Sequence, residues 1–183
     1  MTTDVIMAGF GGQGILMIGN LLAIAAMDEG KQVTYFPAYG VEMRGGTANC
    51  TVVISDEEIG SPVVGLPESC VVMNAPSLDR YLPLVRKGGN LLINSSLVDP
   101  AKVGRADLRL LALPANDIAR EAVGSQQLAS MVALGAYVSM TGVVSMQTLF
   151  DCIPKVVSKK YEKFIPLNVN ALKEGESFAR IHS

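Results

Sequence analysis

The sequence predicts an α/β fold of three layers, a Rossmann-like, mostly parallel sheet with helices on both faces. Three observations point there. Val5-Ile6-Met7-Ala8 is an apolar run that switches at a glycine cluster into a helical pattern lasting to Gly30, which is how an α/β sheet begins. Cys70-Val71-Val72-Met73 is short and wholly apolar, the mark of a central parallel strand. Strand-like segments dominate early and helical ones late, so helices must cross back over the sheet.

Taken in order, the first helix is expected over 13–29. Leu16, Leu22, Ile24 and Met27 are joined by Ile15, Ile18 and Leu21 on its other faces, so it must be buried by the sheet and by something else. A second strand over 33–36 completes a βαβ unit, and 37–46 fits neither period. From Thr47 the chain alternates, with Ala48, Cys50, Val52 and Ile54 against Asn49, Thr51, Val53 and Ser55, a third strand closed by Asp56-Glu57-Glu58. After the strand at 70–73, Ser77 is the expected cap of a short helix through Leu84. Further strands are expected at 90–94 and, edge-like, at 108–112. Helices follow at 116–123 and 126–140, then from a Ser145 cap to 153, and within 166–180 after a charged linker at 158–163. The most apolar window, 131–150, is broken at Thr141-Gly142 and reads as two buried helices, not a membrane span.

Composition narrows the function. The 183 residues are 49% hydrophobic, enough for one domain over 1–183 with a sizeable core. A net charge of −2 leaves neither a basic footprint for nucleic acid nor an acidic tail. With 17% charged residues and a mean hydropathy of +0.34, some apolar surface is expected to be covered by partner chains, a core buried on both sheet faces being the alternative source of that hydropathy. The three cysteines, Cys50, Cys70 and Cys152, are far apart. Zinc or iron–sulfur ligation by this chain alone is therefore not expected, and a reducing cytoplasm suits such thiols. No basic region precedes the first strand, so no signal peptide is expected.

The chemistry concentrates in two glycine-rich stretches. Gly9-Phe10-Gly11-Gly12-Gln13-Gly14 places backbone N–H groups at a helix start, where they can hold an anion. Its spacing also fits the dinucleotide fingerprint. That site wants an acid at the end of the second strand, which here ends Tyr35-Phe36-Pro37, and Glu42 is a poor substitute inside the next loop. A structural turn, or one holding another phosphate group, is the stronger reading. In the second stretch, Tyr39-Gly40 and Arg44-Gly45-Gly46-Thr47 combine a guanidinium fork with glycines that free the backbone to meet a phosphate or carboxylate. The alternative is an arginine paired with Glu42 or a neighbouring subunit. Catalytic groups are scarce: His182 is the one histidine and is expected to fray, Asp56-Glu57-Glu58 reads as a solvated turn, and Cys50 reads as core. No catalytic or metal-ligating residue is assigned. The expected binding residues are Gly9, Gly11, Gly12, Gln13, Gly14, Tyr39, Arg44, Gly45, Gly46 and Thr47.

These stretches, with Ala38 to Ala48 ahead of Val52-Val53-Ile54-Ser55, resemble the gamma subunit of 2-oxoacid:ferredoxin oxidoreductases. Met131-Val132-Ala133-Leu134-Gly135-Ala136, Thr141-Gly142 and the pattern from Asn168 to Gly175 are similar to the same family. Ser130 departs from it, since asparagine is expected there. The resemblance implies a non-catalytic subunit of a complex that converts a 2-oxoacid and coenzyme A to acyl-CoA and CO2 and reduces ferredoxin. It implies thiamine diphosphate and iron–sulfur clusters on partner subunits, namely thiamine-binding alpha and beta subunits and a ferredoxin-like delta subunit. This chain would help assembly and shape the approach of coenzyme A; a homodimer is one form open to the isolated chain. A subunit of an indolepyruvate ferredoxin oxidoreductase is the close alternative, and a free-standing dinucleotide-binding protein the distant one.

Overall fold

Alternation along the first strand divides the interior into two cores. In this computed structural model, which describes residues 1–39 and 46–182 and gives Tyr39 by its backbone alone, strand β1 is Thr2–Phe10. Its Val5 and Met7 enter one core and its Ile6 and Ala8 the other, as the period of two requires. The helix α1 (Ile15–Asp28) returns the chain to β2 (Gln32–Tyr39) and then β3 (Thr47–Ser55). Next come β4 (Ser69–Val72), α2 (Ala75–Tyr81), β5 (Asn90–Asn94) and β6 (Arg109–Leu113). The chain ends in helices α3 (Ala115–Ile118), α4 (Ala129–Thr141), α5 (Met146–Val156) and α6 (Ile165–His182).

The sheet has six strands in the order β2-β3-β1-β4-β5-β6. The pairs β1–β4, β4–β5 and β5–β6 are parallel, whereas β3 runs antiparallel to both β1 and β2. Five strands thus point one way, and the expectation of a mostly parallel sheet holds. The expected βαβ unit is split, because β3 lies between β1 and β2 and they are not neighbours. That insertion makes β2 an edge strand, which explains why it runs on through Pro37 instead of ending at Phe36. Pro37 sits opposite Cys50, and a residue without an N–H is tolerated at an edge.

One sheet face carries α1, α4 and α5, with α6 laid over α4; the other carries α2 and the 3-10 turns Leu82–Leu84 and Pro100–Lys102. The second cover for the all-round apolar α1 is α5. Three local expectations change. Asn74, not Ser77, caps α2, its Oδ1 accepting the Ser77 N–H at 2.8 Å. The stretch expected as a charged linker is a 3-10 helix, Lys159–Phe164. His182 is not frayed: α6 reaches it, and its ring stacks on Phe178 at 4.0 Å.

The centre of this arrangement is α4, buried at all but two of its 13 residues. It meets α6 at backbone distance. A Cβ built on Gly175 would stand 1.9 Å from the Val132 carbonyl oxygen, and one on Gly135 would stand 2.1 Å from that of Leu172. Neither obstacle is a side chain that could swing aside. Alanine at Gly175 would gain up to about 1 kcal/mol in helix propensity but must force the helices apart. Gly175→Ala is therefore expected to lower stability by about 1–3 kcal/mol, measured by denaturant unfolding; unchanged or raised stability would contradict the contact.

Candidate functional site

The turn after β1 is held shut by its own glutamine. Gln13 N–H donates to the Phe10 carbonyl at 3.1 Å, and Gln13 Oε1 accepts the Phe10 N–H at 2.6 Å. The other end of the amide reaches the Met73 carbonyl at 3.5 Å, while Met73 N–H donates to Ala8 O at 2.8 Å. Gln13 thereby ties β1 to the end of β4, with its acceptor engaged by backbone. Gly9 leaves room for it, since a Cβ there would fall 2.6 Å from Gln13 Oε1. These two expected binding residues shape the turn from within.

Beyond the lock, Gly14 caps α1 in the left-handed region (φ 79°), with no side-chain cap and no acid in the first turn. The first N–H groups of α1 lack partners within the helix and sit at its positive end. The described end of the second glycine stretch, Gly46-Thr47, meets the same turn. Gly11 N–H donates to the Gly46 carbonyl at 2.8 Å, and Phe10 stands opposite Thr47 in the β1–β3 register. Gly9, Gly11, Gly12, Gln13, Gly14, Gly46 and Thr47 are thus brought together at the carboxyl edge of the sheet. The backbone of Tyr39, opposite Ala48, ends at the same edge. Arg44 and Gly45 lie outside the described residues.

This edge is also the topological switch point, where α1 leaves β1 toward one side of the sheet and α2 leaves β4 toward the other. Ligands of open α/β sheets bind in the crevice so formed. Here it is a hollow of about 210 Å³ lined by Gly12, Gln13, Met73, Asn116 and Gln127 among others. A larger groove of about 950 Å³ adjoins it through Gly12 and Gln127 and continues past Gly14, Met17, Ser130, Tyr161, Phe164 and Asn168. Gln127 and the 159–164 turn carried no signal of a site in the sequence, and Asn168 appeared there only within a family pattern. The departure at Ser130 did point here: that buried side chain packs on the turn, its Oγ 2.5 Å from where a Gly14 Cβ would be.

The split unit bears directly on the dinucleotide reading. The ribose acid of such a site sits on a strand next to the first one. Here the carboxyl end of β2 lies two strand spacings, about 10 Å, from β1, so a carboxylate there would be misplaced as well as missing.

Asp56, Cys50 and Cys70 serve the fold. Asp56 pairs with Lys31 and, at 2.8 Å, with the Met1 amine, and these hydrogen bonds bring its carboxyl down to about 2. Burial pushes the Cys50 and Cys70 thiols up to about 12, the opposite of what a nucleophile needs. These two thiols belong to opposite cores. Among the described residues no group of three His, Cys, Asp or Glu could hold a metal ion. No helix among them is long and apolar enough to cross a membrane.

Residues 4–178 match the pyruvate ferredoxin/flavodoxin oxidoreductase family. The ketoisovalerate oxidoreductase subunit VorA of Methanothermobacter marburgensis is 42% identical over 178 residues, 94% of this chain and 36% of that protein. The chain thus spans about a third of the length of the VorA relatives it matches. A keto/oxoacid ferredoxin oxidoreductase gamma subunit from Geobacter sulfurreducens has a TM-score of 0.84 and 32% identity, over 98% of this chain and 99% of that one. A 2-oxoglutarate:ferredoxin oxidoreductase from Magnetococcus marinus, solved with 2-oxoglutarate, coenzyme A and succinyl-CoA bound, has a TM-score of 0.88. At 24% identity over 98% of this chain and 31% of that one, it shares the fold.

The contact between the turn and α4 is open to a double-mutant test. Gly14→Ala must adopt a left-handed conformation, costing about 1–2 kcal/mol, and its Cβ also meets Ser130 Oγ. Ser130→Ala in the same chain is expected to restore part of that loss, read as non-additive unfolding free energies. Strict additivity would contradict the contact.

Proposed function

The chain belongs to the pyruvate ferredoxin/flavodoxin oxidoreductase family, and on that premise we propose that it is the gamma-type part of a 2-oxoacid:ferredoxin oxidoreductase. The proposed complex converts a 2-oxoacid and coenzyme A to acyl-CoA and CO2 and passes the electrons to ferredoxin. Residues 1–183 serve in it as one domain without a complete active site. The partners in this reading are the alpha and beta subunits and a ferredoxin-like delta subunit. Thiamine diphosphate and the iron–sulfur clusters reside on those partners, where they supply decarboxylation and electron transfer.

The role left to this chain is to receive coenzyme A. The observation that carries this is the joining of the two glycine stretches by the Gly11–Gly46 hydrogen bond at the mouth of a groove. Backbone donors at the start of α1 face the same opening, with no acid in the first turn to repel a phosphate. Gly11, Gly12, Gly14, Gly46 and Thr47 form the floor of the proposed phosphate site. Arg44, two residues before Gly46 and next to Gly45 in the sequence, is the proposed planar donor fork, and Tyr39 is proposed with it. Coenzyme A is the bound co-substrate in the Magnetococcus marinus enzyme that shares this fold, which supports the choice of ligand.

Arg44→Ala in the assembled complex is expected to raise the apparent KM for coenzyme A roughly tenfold, the scale of losing one charge-assisted hydrogen bond. The measurement is the initial rate of ferredoxin reduction against coenzyme A concentration. Unchanged coenzyme A kinetics in a complex that assembles normally would overturn the proposal.

A further inference from the structure

The groove, at about 950 Å³, is far larger than a phosphate needs, and its wall at 159–164 has a character of its own. The 3-10 helix Lys159–Phe164 reads Lys-Lys-Tyr-Glu-Lys-Phe. Tyr161 and Phe164 both line the groove and remain 50% and 40% exposed. Their ring centroids are 6.3 Å apart with the planes tilted by 36°. Lys160 Nζ stands 5.5 Å from the Tyr161 ring centre and Lys163 Nζ 5.1 Å from that of Phe164. Each ring thus carries an ammonium group over one face, and a nucleobase stacked on the other face would bring an adjacent phosphate near those charges.

A second observation at the same wall asks for a hydrogen-bond donor. Asn168, 4% exposed, also lines the groove. Its Nδ2 donates to the Phe164 carbonyl at 2.8 Å, which fixes the amide, while its Oδ1 is buried without a partner. A buried acceptor left unmet is costly, and this one lies one helical turn from Phe164. An exocyclic amine of a purine resting on the aromatic pair would supply the missing donor.

We propose that Tyr161, Phe164 and Asn168 form an adenine subsite at the far end of the groove, with Lys160 and Lys163 facing the 3′-phosphate of the same adenosine. This assignment rests on the coenzyme A reading above. It gives the groove two ends, the adenosine on the 159–164 wall and the pyrophosphate at the start of α1. Met17, Leu128 and Val157 supply apolar surface between them for the aliphatic arm. The helix Lys159–Phe164 is then a specificity element for the adenosine handle.

The test is competition in the assembled complex, with adenosine 3′,5′-bisphosphate as inhibitor against coenzyme A. Tyr161→Ala is expected to weaken this inhibitor and to raise the KM for coenzyme A, each about tenfold. The KM for pantetheine, which lacks the adenosine, is expected to stay as it was. The double variant Lys160→Gln, Lys163→Gln, confined to the surface, is expected to reduce the preference for coenzyme A over 3′-dephospho-coenzyme A. If Tyr161→Ala leaves the inhibitor unaffected while Arg44→Ala still raises the coenzyme A requirement, the adenine subsite is wrong and the coenzyme A reading stands. Should neither variant alter coenzyme A kinetics, both fall. Loss of assembly on Tyr161→Ala would assign the wall to a partner subunit and also overturn the subsite.

Discussion

The constraint on which the site depends is the antiparallel strand inserted between β1 and β2. A strand that pairs with both must run back along them, so its beginning and the end of β2 are fixed at the carboxyl edge of β1. That is where the first turn opens. The hydrogen bond from Gly11 N–H to Gly46 O at 2.8 Å is the local consequence, and through it two glycine stretches some thirty residues apart become one surface. The same insertion moves β2 away from β1 and makes it an edge, which removes the geometry of a dinucleotide site and leaves room for Pro37. One topological choice thus explains what the turn can hold and what it cannot.

Rigidity of this surface comes from beneath. The start of α4 supports the turn through Ser130 against Gly14, and α4 is itself clamped by α6, whose Gly175 lets the two backbones touch. Gln13 adds a bridge between β1 and β4. The turn therefore has little freedom to reorganise, as suits a site whose donors must already point at their anion. The groove beyond it is built differently, from side chains on a short 3-10 helix and the first turns of α6.

Much of this was legible in the sequence because it rests on local pattern. The alternation in Ala48, Cys50, Val52 and Ile54, the switch from strand to helix at Gly9 and the break at Thr141-Gly142 each come from one residue's neighbours. What could not be read was adjacency. Nothing in the sequence of β1, α1 and β2 says that a third strand will come between them, since that follows from long-range pairing. Asn74 displaced Ser77 as the cap of α2 because its side chain reached the Ser77 N–H. The 159–164 stretch looked like a solvated linker from its charge; its aromatic residues take their meaning from a groove made by α1 and α4, which lie far away in the chain. The partners of Gln13 within the chain are the Phe10 and Met73 backbones, the second of them sixty residues away and invisible to local pattern.

The central claim is that the joined glycine surface takes the phosphates of coenzyme A and not those of a dinucleotide. Amide hydrogen exchange of the assembled complex, followed at residues 11–17 and 46–47 with coenzyme A and then NAD added, tests it most directly. Exchange there should slow with coenzyme A and stay unchanged with NAD. Protection by NAD, or protection by coenzyme A only at sites remote from these residues, would contradict the account.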